Sequence, residues 1–328
     1  MKRLIKQRGL LDRQPAYYAA KFTFTLGLLV SSLALLLVLD NLWLQLLNAA
    51  YLAFVFVQIG LLAHDCGHRQ FSFRSSWKND WLTLILGNLL IGISRQWWID
   101  KHNEHHGHPN QMGADPDIEI PLLAFEEEQA LHKRGVARFV VKYQAILIIP
   151  LSLLQALSLH RRSIQFLLEK KAKSTLAESL ALGAHFVVYF GLVFSVLEPL
   201  QALVFIAVHR GLFGMYMVSI FAPNHKAMPV LERESQLDFL HRQVLTSRNV
   251  SAHPITDFWY GGLNYQIEHH LFPRLPRNKL REAQPVVKDF CREHSLAYHE
   301  TGVLQSYREI LQHLHEVGAP LREARTAR

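Results

Sequence analysis

Four long apolar runs most constrain how this chain can fold. Residues 22–39 and 41–63 form one pair, and residues 180–197 and 199–223 form a second. Each run is long enough to cross a hydrocarbon core, which needs about 20 apolar residues in a helix. Only Asp40 separates the first pair and only Glu198 the second, so we expect two tight helical hairpins. The sequence therefore predicts an all-α integral membrane protein with four transmembrane helices.

Basic residues at one end of each hairpin set its expected orientation. The formal net charge is +8, and neither hairpin turn contains Lys or Arg. The positive-inside rule then predicts that both termini, all long loops and any site on them are cytoplasmic. The basic residues flank apolar runs and form no patch interleaved with aromatics, so we expect membrane lipid and not nucleic acid as a partner. The residues that precede the first and third runs are Lys2, Arg3, Lys6, Arg8, Arg13 and Lys21, and Lys170, Lys171 and Lys173.

The remaining segments predict helices outside the bilayer core. Residues 81–94 are short for a span and contain Gly87 and Gly92, and residues 143–159 have basic residues on both sides, so we expect one or two interfacial or re-entrant helices. Residues 278–294 and 304–317 are amphipathic and predict surface helices. We expect one domain over 1–328, with a cytoplasmic N-terminus (1–21), membrane spans, interfacial helices and loops (22–223), a cytoplasmic helical cap (224–318) and a basic tail (319–328).

Arg210 interrupts the fourth apolar run, directly after His209. A charge at that depth is costly and usually faces a cavity or a partner. Arg210 therefore either lines a cavity or meets a headgroup, or else the span is shifted or split into two half-helices and Arg210 snorkels to the surface. The sequence leaves both alternatives open.

The histidines are unevenly distributed along the chain. HDCGH starts where the second run ends, HNEHH follows an aromatic stretch, and the chain has an Asn-His pair at the end of the fourth run and a QIEHH segment beyond it. With the predicted topology, all four groups emerge on the same cytoplasmic face. A single histidine at a membrane edge is more often structural than a ligand, but this coincidence of clusters favours a metal site.

The spacing within each cluster has a geometric meaning. Residues i, i+3 and i+4 share one face of a helix, so His64 and His68 can point at one metal, as can the members of HNEHH and of QIEHH. Seven clustered histidines, or eight with His225, exceed what one tetrahedral zinc requires and predict two metal ions. Glu104 and Glu268 precede the paired histidines and could orient them through hydrogen bonds. Imidazole suits zinc, copper, iron and nickel, so the residues alone leave the metal open.

HDCGH, HNEHH and QIEHH resemble the three histidine boxes of the membrane fatty acid desaturases. RQWWIDKHNEHHGHPN, DPDIE, FAPNHK, QVLTSRNV and GGLNYQIEHHLFPRLPR are also similar to that superfamily, over roughly residues 60–285. Glutamine at the start of the third box resembles the front-end branch, whose members desaturate between an existing double bond and the carboxyl end, although related sphingolipid desaturases share it.

The resemblance implies a non-haem di-iron enzyme that uses O2 and two electrons to introduce a double bond into an acyl chain, carried as acyl-lipid or acyl-CoA. The ligands that it implies are His64, His68, His102, His105, His106, His225, Gln266, His269 and His270, with Asn224 as a further candidate. Trp98 and Tyr265, with Trp97, are candidates for the walls of an acyl cavity, or else aromatic anchors at the membrane interface.

Two alternatives stay open beside the desaturase. A hydroxylase of the same superfamily would use the same chemistry, and a non-enzymatic metal-binding membrane protein would need polar residues aligned within its spans. The spans are nearly bare of these apart from His185, His209 and Arg210. No HPGG motif of a fused cytochrome b5 domain occurs in these 328 residues, so we expect electrons from a separate ferredoxin or cytochrome b5.

Overall fold

A computed structural model describes residues 1–71 and 76–323, and its regular structure is almost wholly helical. The two short strands, β1 (Asn249–Val250) and β2 (Glu300–Thr301), pair in parallel. The predicted all-α class is confirmed. The helices are α1 (Lys2–Gln7), α2 (Pro15–Val38), α3 (Leu42–Gly67), α4 (Ser76–Leu84), a π-helix (Ile85–Ile91), α5 (Arg95–Gly107), α6 (Glu127–His132), α7 (Gly135–Lys142), α8 (Gln144–Ser152), α9 (Gln155–Leu168), α10 (Thr175–Val196), α11 (Pro199–His225), α12 (Phe239–Leu245), α13 (Pro254–Trp259), α14 (Gln266–Leu271), α15 (Arg277–Glu293), α16 (Val303–Val317) and α17 (Ala319–Glu323).

Four described helices are long and apolar enough to cross a membrane, namely α2, α3, α10 and α11. Residues 39–41 join the first two and residues 197–198 join the last two, as the predicted hairpins require. The protein is therefore an integral membrane protein. Helices α7 and α8 taken together are also long and apolar enough to cross a membrane, but they are bent by 107° at their junction.

The predicted helix over residues 143–159 is broken in the structure. Helix α8 ends at Ser152 and α9 begins at Gln155 and continues to Leu168. Pro150 lies in the last turn of α8, where its missing N–H and its ring weaken the helix. The apolar run 143–159 is therefore divided between two helices.

As predicted, residues 81–94 do not form a spanning helix. This segment begins in α4, continues as the π-helix and ends at Gly92, whose φ is +76°. A Cβ at Gly92 would lie 2.6 Å from the His185 ring, so both conformation and space require glycine there.

The chain divides into two compact units. The span unit comprises residues 12–100 and 152–218, and the polar unit comprises residues 1–11, 101–151 and 219 onward. Helices α5, α8 and α11 each contribute residues to both units. The single domain expected from the sequence stays a prediction, and residues 324–328 of its basic tail lie outside the described residues.

Arg210 in the span unit lies within one unbroken helix, α11, and is buried. Its Nη2 donates to His185 Nε2 at 3.1 Å, and its guanidinium lies 4.1 Å from the centre of the Tyr189 ring. His160 Nε2 is 3.4 Å from Nη1. His185 Nδ1 donates to the carbonyl oxygen of Leu89 in the π-helix. The alternatives of a split span and a snorkelling side chain are therefore wrong, because the helix is continuous and the charge faces protein groups.

The polar unit contains the amphipathic helices predicted near its C-terminal end. Helix α15 buries Leu280, Ala283 and Val286 in a cluster that includes Ile5 from α1. Helix α16 buries Ile310 and Leu314, among others, in a second cluster. The predicted surface helices are confirmed to within one residue at each end.

Candidate metal centre

Three short or terminal helical segments of the polar unit carry its clustered histidines. The second half of α5 carries HNEHH, α11 ends at His225, and every residue of α14, QIEHHL, is buried. Burying six consecutive residues that include two histidines, a glutamine and a glutamate is costly unless each polar group has a partner. The partners are therefore the key to what this region does.

Three imidazole nitrogens from the three segments converge. His225 Nε2 lies 3.2 Å from His105 Nε2 and 3.1 Å from His270 Nε2. All three side chains are buried, and their ligand atoms lie within 4.8 Å of one another, close enough to bind one ion.

The opposite nitrogen of each imidazole is already bonded. His105 Nδ1 donates to the two Asp115 carboxylate oxygens at 3.0 and 3.1 Å, and His225 Nδ1 donates to the Thr246 carbonyl oxygen at 3.0 Å. His270 Nδ1 donates to Gln243 Oε1 at 2.7 Å. The Gln243 amide donates its Nε2 to a backbone carbonyl, which fixes its oxygen toward His270. These acceptors place the proton of each ring on Nδ1.

The Nε2 atoms therefore direct lone pairs at one another across 3.1–3.2 Å. Burial and the neighbouring histidines lower the pKa of His270 well below its usual value, so adding a proton does not relieve this repulsion. A metal cation that accepts neutral imidazole ligands would relieve this repulsion between lone pairs. A histidine ligand is usually supported by a hydrogen bond from its second nitrogen to a carboxylate or carbonyl oxygen, as each of these rings is. The residues present thus fit a metal ion.

Asp115 is the buried carboxylate that orients His105. It also accepts the backbone N–H groups of Asn110 at 2.7 Å and Asp117 at 2.8 Å. Burial acts to raise its pKa, but the adjacent His105 outweighs that effect, and the pKa lies below its usual value. Asp117, which pairs with Lys101 and lies 3.6 Å from His105 Nδ1, also has a lowered pKa. Both groups therefore remain charged and attract the imidazole proton.

His102, His106 and His269 form a second group in the same unit. His102 Nε2 and His106 Nε2 are 3.1 Å apart, and the His106 and His269 ring centres are 4.8 Å apart. The His106 ring is also stacked on the ring of His270, with centres 4.2 Å apart. The six histidines of HNEHH, QIEHH and position 225 therefore form one continuous cluster.

Gln266 lies beside this cluster and is held by Asn224. Its Nε2 is 2.9 Å from His225 Nε2, while its Oε1 accepts Asn224 Nδ2 at 3.0 Å. Asn224 Oδ1 is buried and has no hydrogen-bond partner among the described residues. If both amides rotate by 180°, Asn224 Oδ1 accepts from Gln266 and the Gln266 oxygen faces the histidines. The amide pair can therefore present a donor or an acceptor to the site.

The two glutamates occupy different environments. Glu268 is fully buried and accepts hydrogen bonds from Asn249 Nδ2 at 2.7 Å and the Tyr298 hydroxyl at 2.9 Å. Burial raises the pKa of Glu268 to about 7. Glu104 is exposed on α5. Neither glutamate has a hydrogen bond to a clustered imidazole in the described part of the chain. The carboxylate that supports His105 is Asp115 instead, because the side chains at 104 and 268 leave their helices on a different face.

The HDCGH histidines lie in the span unit, at the end of α3. The His64 and His68 ring centres are 4.7 Å apart, as the i, i+4 spacing requires, and the Trp98 ring is 5.6 Å from that of His64. Asp65 Oδ1 is 3.4 Å from His64 Nδ1. Burial and the charge of His64 lower the pKa of His68. Trp98 thus lies beside HDCGH, and its role as a cavity wall stays a prediction.

Tyr265, the other candidate for a cavity wall, is part of the packed core of the polar unit. It belongs to the cluster that contains Ile5 and Leu10, and its hydroxyl donates to Asp257 at 3.0 Å. Its role at an acyl cavity also stays a prediction.

Residues 41–302 match the model of one protein family, "Fatty acid desaturase". The chain belongs to the fatty acid desaturase family. This membership confirms the resemblance stated from the three histidine boxes and the prediction of an oxidoreductase of lipid metabolism.

Several similar proteins are desaturases by name. A Delta(6)-fatty-acid desaturase of Caenorhabditis elegans is 30% identical over 93% of this chain and 71% of its own length. A Delta(8)-fatty-acid desaturase of Euglena gracilis is 32% identical over 88% of this chain and 71% of its own length. An acyl-lipid (9-3)-desaturase of Physcomitrium patens is 29% identical over 97% of this chain but only 62% of its own length. These names favour desaturation over the hydroxylase and the non-enzymatic alternatives.

Three groups support histidines in this desaturase family member but were not predicted from the sequence: Asp115, Gln243 and the Thr246 carbonyl. They lie in DPDIE and QVLTSRNV, two segments already noted for their similarity to the family. That similarity was the available signal. It assigned no role, because each contact depends on a fold that joins residues 10 to 27 positions apart.

Proposed function

We propose that this protein is an acyl desaturase with a di-iron centre, and that it resembles the front-end desaturases. The reaction removes two hydrogens from adjacent CH2 groups and consumes one O2, two electrons and two protons, giving a C=C bond and two water molecules. We propose an acyl-lipid or acyl-CoA as the substrate, because the site belongs to an integral membrane protein and the named relatives are fatty acid and acyl-lipid desaturases.

The convergence of three buried Nε2 atoms is the observation that carries this proposal. His105, His225 and His270 each have Nδ1 committed to an acceptor, so each offers a neutral imidazole lone pair. Bound iron would supply O2 activation there, for which a set of neutral ligands with an open position is suitable. The carboxylate of Asp115 fixes the orientation of the His105 ring, and the amide of Gln243 fixes that of the His270 ring.

The full ligand set that we propose includes residues whose assignment rests on the sequence motifs. His64 and His68 are included on the HDCGH box, and His102, His106 and His269 on the other two boxes. Gln266 is included because its amide can turn an oxygen toward His225. Burial of the QIEHH segment excludes water from the rings, which would protect oxidation chemistry at bound iron from side reactions.

The electrons, in this proposal, come from a separate ferredoxin or cytochrome b5. We infer a cytoplasmic site from the basic residues beside the first and third spans. A basic protein surface on that side would favour encounter with an acidic electron carrier.

Expression in a host with a simple fatty acid profile tests the proposal. Cells that receive several polyunsaturated and monounsaturated acyl substrates, together with an electron donor, are expected to accumulate new unsaturated products by gas chromatography–mass spectrometry. The His105→Ala variant is expected to give none, because it removes one of the three converging nitrogens. Metal analysis of the purified protein is expected to give about two iron ions per chain, as the two-centre ligand set requires.

Each alternative has a distinct result. Hydroxylated acyl chains would replace the desaturase assignment with a hydroxylase. An unchanged lipid profile, with the protein in the membrane and the substrates supplied, would reject an acyl-modifying enzyme. Stoichiometric zinc without iron in active preparations would reject the di-iron centre.

A further inference from the structure

Glu178 is a fully buried carboxylate in a mostly apolar helix, and it belongs to none of the histidine clusters. It lies in the first turn of α10, in the span unit. An ionised side chain in this position is costly unless several donors and a positive charge surround it. Its neighbours in the span unit therefore indicate why it is there.

The carboxylate meets the start of α5. Its Oε2 accepts the Ser94 hydroxyl at 2.7 Å and the backbone N–H of Gln96 at 3.2 Å. The guanidinium Nε of Arg95 lies 3.5 Å from Oε1 and supplies the compensating positive charge. Asn88 Nδ2 lies 3.3 Å from Oε2 and completes the donor set.

Together these groups satisfy the amides that begin α5. The first N–H groups of a helix have no partner within the helix. Here the N–H of Arg95 donates to Asn88 Oδ1 at 2.9 Å, that of Gln96 donates to Glu178, and that of Trp97 lies 3.4 Å from the Ser94 hydroxyl. A carboxylate at this end is also favoured by the helix dipole. Glu178 is thus the charged member of a three-residue cap.

Helix α5 is also the helix that carries HNEHH. With a rise of about 1.5 Å per residue, His102 and His106 lie roughly 12 and 18 Å along the axis from Ser94. A tilt of about 5° at the capped end would move His106 by roughly 1.5 Å, enough to spoil the geometry of a catalytic centre. A shift at the start of α5 would therefore move its three histidines.

We propose that Glu178 is a positioning residue for the metal centre, acting through the N-terminus of α5. The inference rests on the proposed function, since it concerns the same histidines. It assigns a role to a charged group in the third span that no histidine box contains.

The test uses the full chain in detergent, loaded with Co2+ as a spectroscopic probe of the histidine ligands, with acyl turnover measured separately on the iron form. In Glu178→Gln, an NH2 group replaces one carboxylate oxygen and must face at least one of the hydrogen-bond donors that surround it, which removes that contact. We expect folded protein, a changed visible Co2+ absorption spectrum and a turnover about 10-fold lower. The matched control is Glu198→Gln, since Glu198 is an exposed glutamate in the turn before α11. It is expected to match the parent protein in both measurements.

A double variant separates positioning from general damage. Asn88→Asp combined with Glu178→Gln exchanges the amide and the carboxylate, and the carboxylate introduced at position 88 can still accept the Arg95 N–H. The parental Co2+ spectrum is expected to return in this protein. A Glu178→Gln spectrum and turnover equal to those of the Glu198→Gln control would overturn the inference. So would a loss that the double variant does not reverse.

Two further outcomes remain informative. If Glu178→Gln does not yield folded protein, Ser94→Ala takes its place, because it removes one hydrogen-bond donor to Glu178 and keeps the charge. This variant is expected to shift the Co2+ spectrum, and an unchanged spectrum would overturn the inference. If the parent protein binds Co2+ but desaturates no substrate, the proposed function fails, whereas the comparison of spectra still decides the role of Glu178.

Discussion

Replacing Asp115 by asparagine is the sharpest test of the metal centre. The substitution preserves size but leaves one oxygen where the carboxylate has two. Asp115 accepts His105 Nδ1 with both oxygens and two backbone N–H groups besides. In the variant, an NH2 group must therefore face either the imidazole or a backbone donor. If it faces His105, the ring moves its proton to Nε2, which removes the lone pair that a metal needs.

The expected magnitude follows from the role of such supports. Loss of the group that orients a histidine ligand typically lowers metal affinity about 10- to 100-fold, or about 1.4 to 2.7 kcal/mol. One buried donor left without an acceptor would cost a further ~1–3 kcal/mol of folding stability. Competition against a chelator of known affinity measures the first quantity, and thermal unfolding in detergent measures the second.

The chain contains a matched control in Asp238. Its carboxylate also accepts His241 Nδ1, at 2.8 Å, but the His241 and Asp238 side chains are 43% and 64% exposed. Asp238→Asn is expected to leave metal affinity and acyl turnover within about twofold of the parent, as surface pairs contribute little. Equal metal affinities for Asp115→Asn and Asp238→Asn would refute the claim that the Asp115 contact fixes the His105 tautomer.

Substitutions at three more positions test separate parts of the structure. Gln266→His should keep desaturase turnover and Gln266→Ala should lose it if a donor atom is required beside His225, whereas turnover retained in both variants would remove Gln266 from the site. Gly92→Ala should lower the thermal unfolding temperature, because it combines a positive φ with a 2.6 Å approach to His185, and an unchanged temperature would contradict that geometry. Arg248→Met should cost about 3 kcal/mol in the free energy of unfolding, since it removes a buried partner of Glu309 and two backbone carbonyls; a loss below about 1 kcal/mol would show that the pair contributes little.

Local patterns allowed much of the fold to be predicted from the sequence. The four spans and both hairpin turns follow from apolar runs of fixed length, because a helix that crosses lipid must satisfy its own backbone and present apolar side chains. The two amphipathic helices near the C-terminus follow from a period of 3.6 residues. The break at residues 153–154 was missed, because the apolar pattern of 143–159 continues through it and only Pro150 hinted at the end of α8.

Arg210 illustrates why some features needed the structure. Its position in an apolar run raised the right question, but the sequence could not choose between a buried and a snorkelling side chain. The choice depends on His160, His185 and Tyr189, which come from two other helices. Contacts between segments distant in sequence have no local signature.

Part of the candidate site could likewise be predicted from the sequence, and part of it was decided only by the tertiary structure. The sequence by itself determined which histidines cluster, since i, i+3 and i+4 spacing places side chains on one face of any helix. Tertiary structure alone decided which nitrogen of His105, His225 and His270 is free to bind metal, because that depends on Asp115, Gln243 and a backbone carbonyl brought in from other segments. The histidines give the site its ligands, and the folded chain fixes where their protons lie.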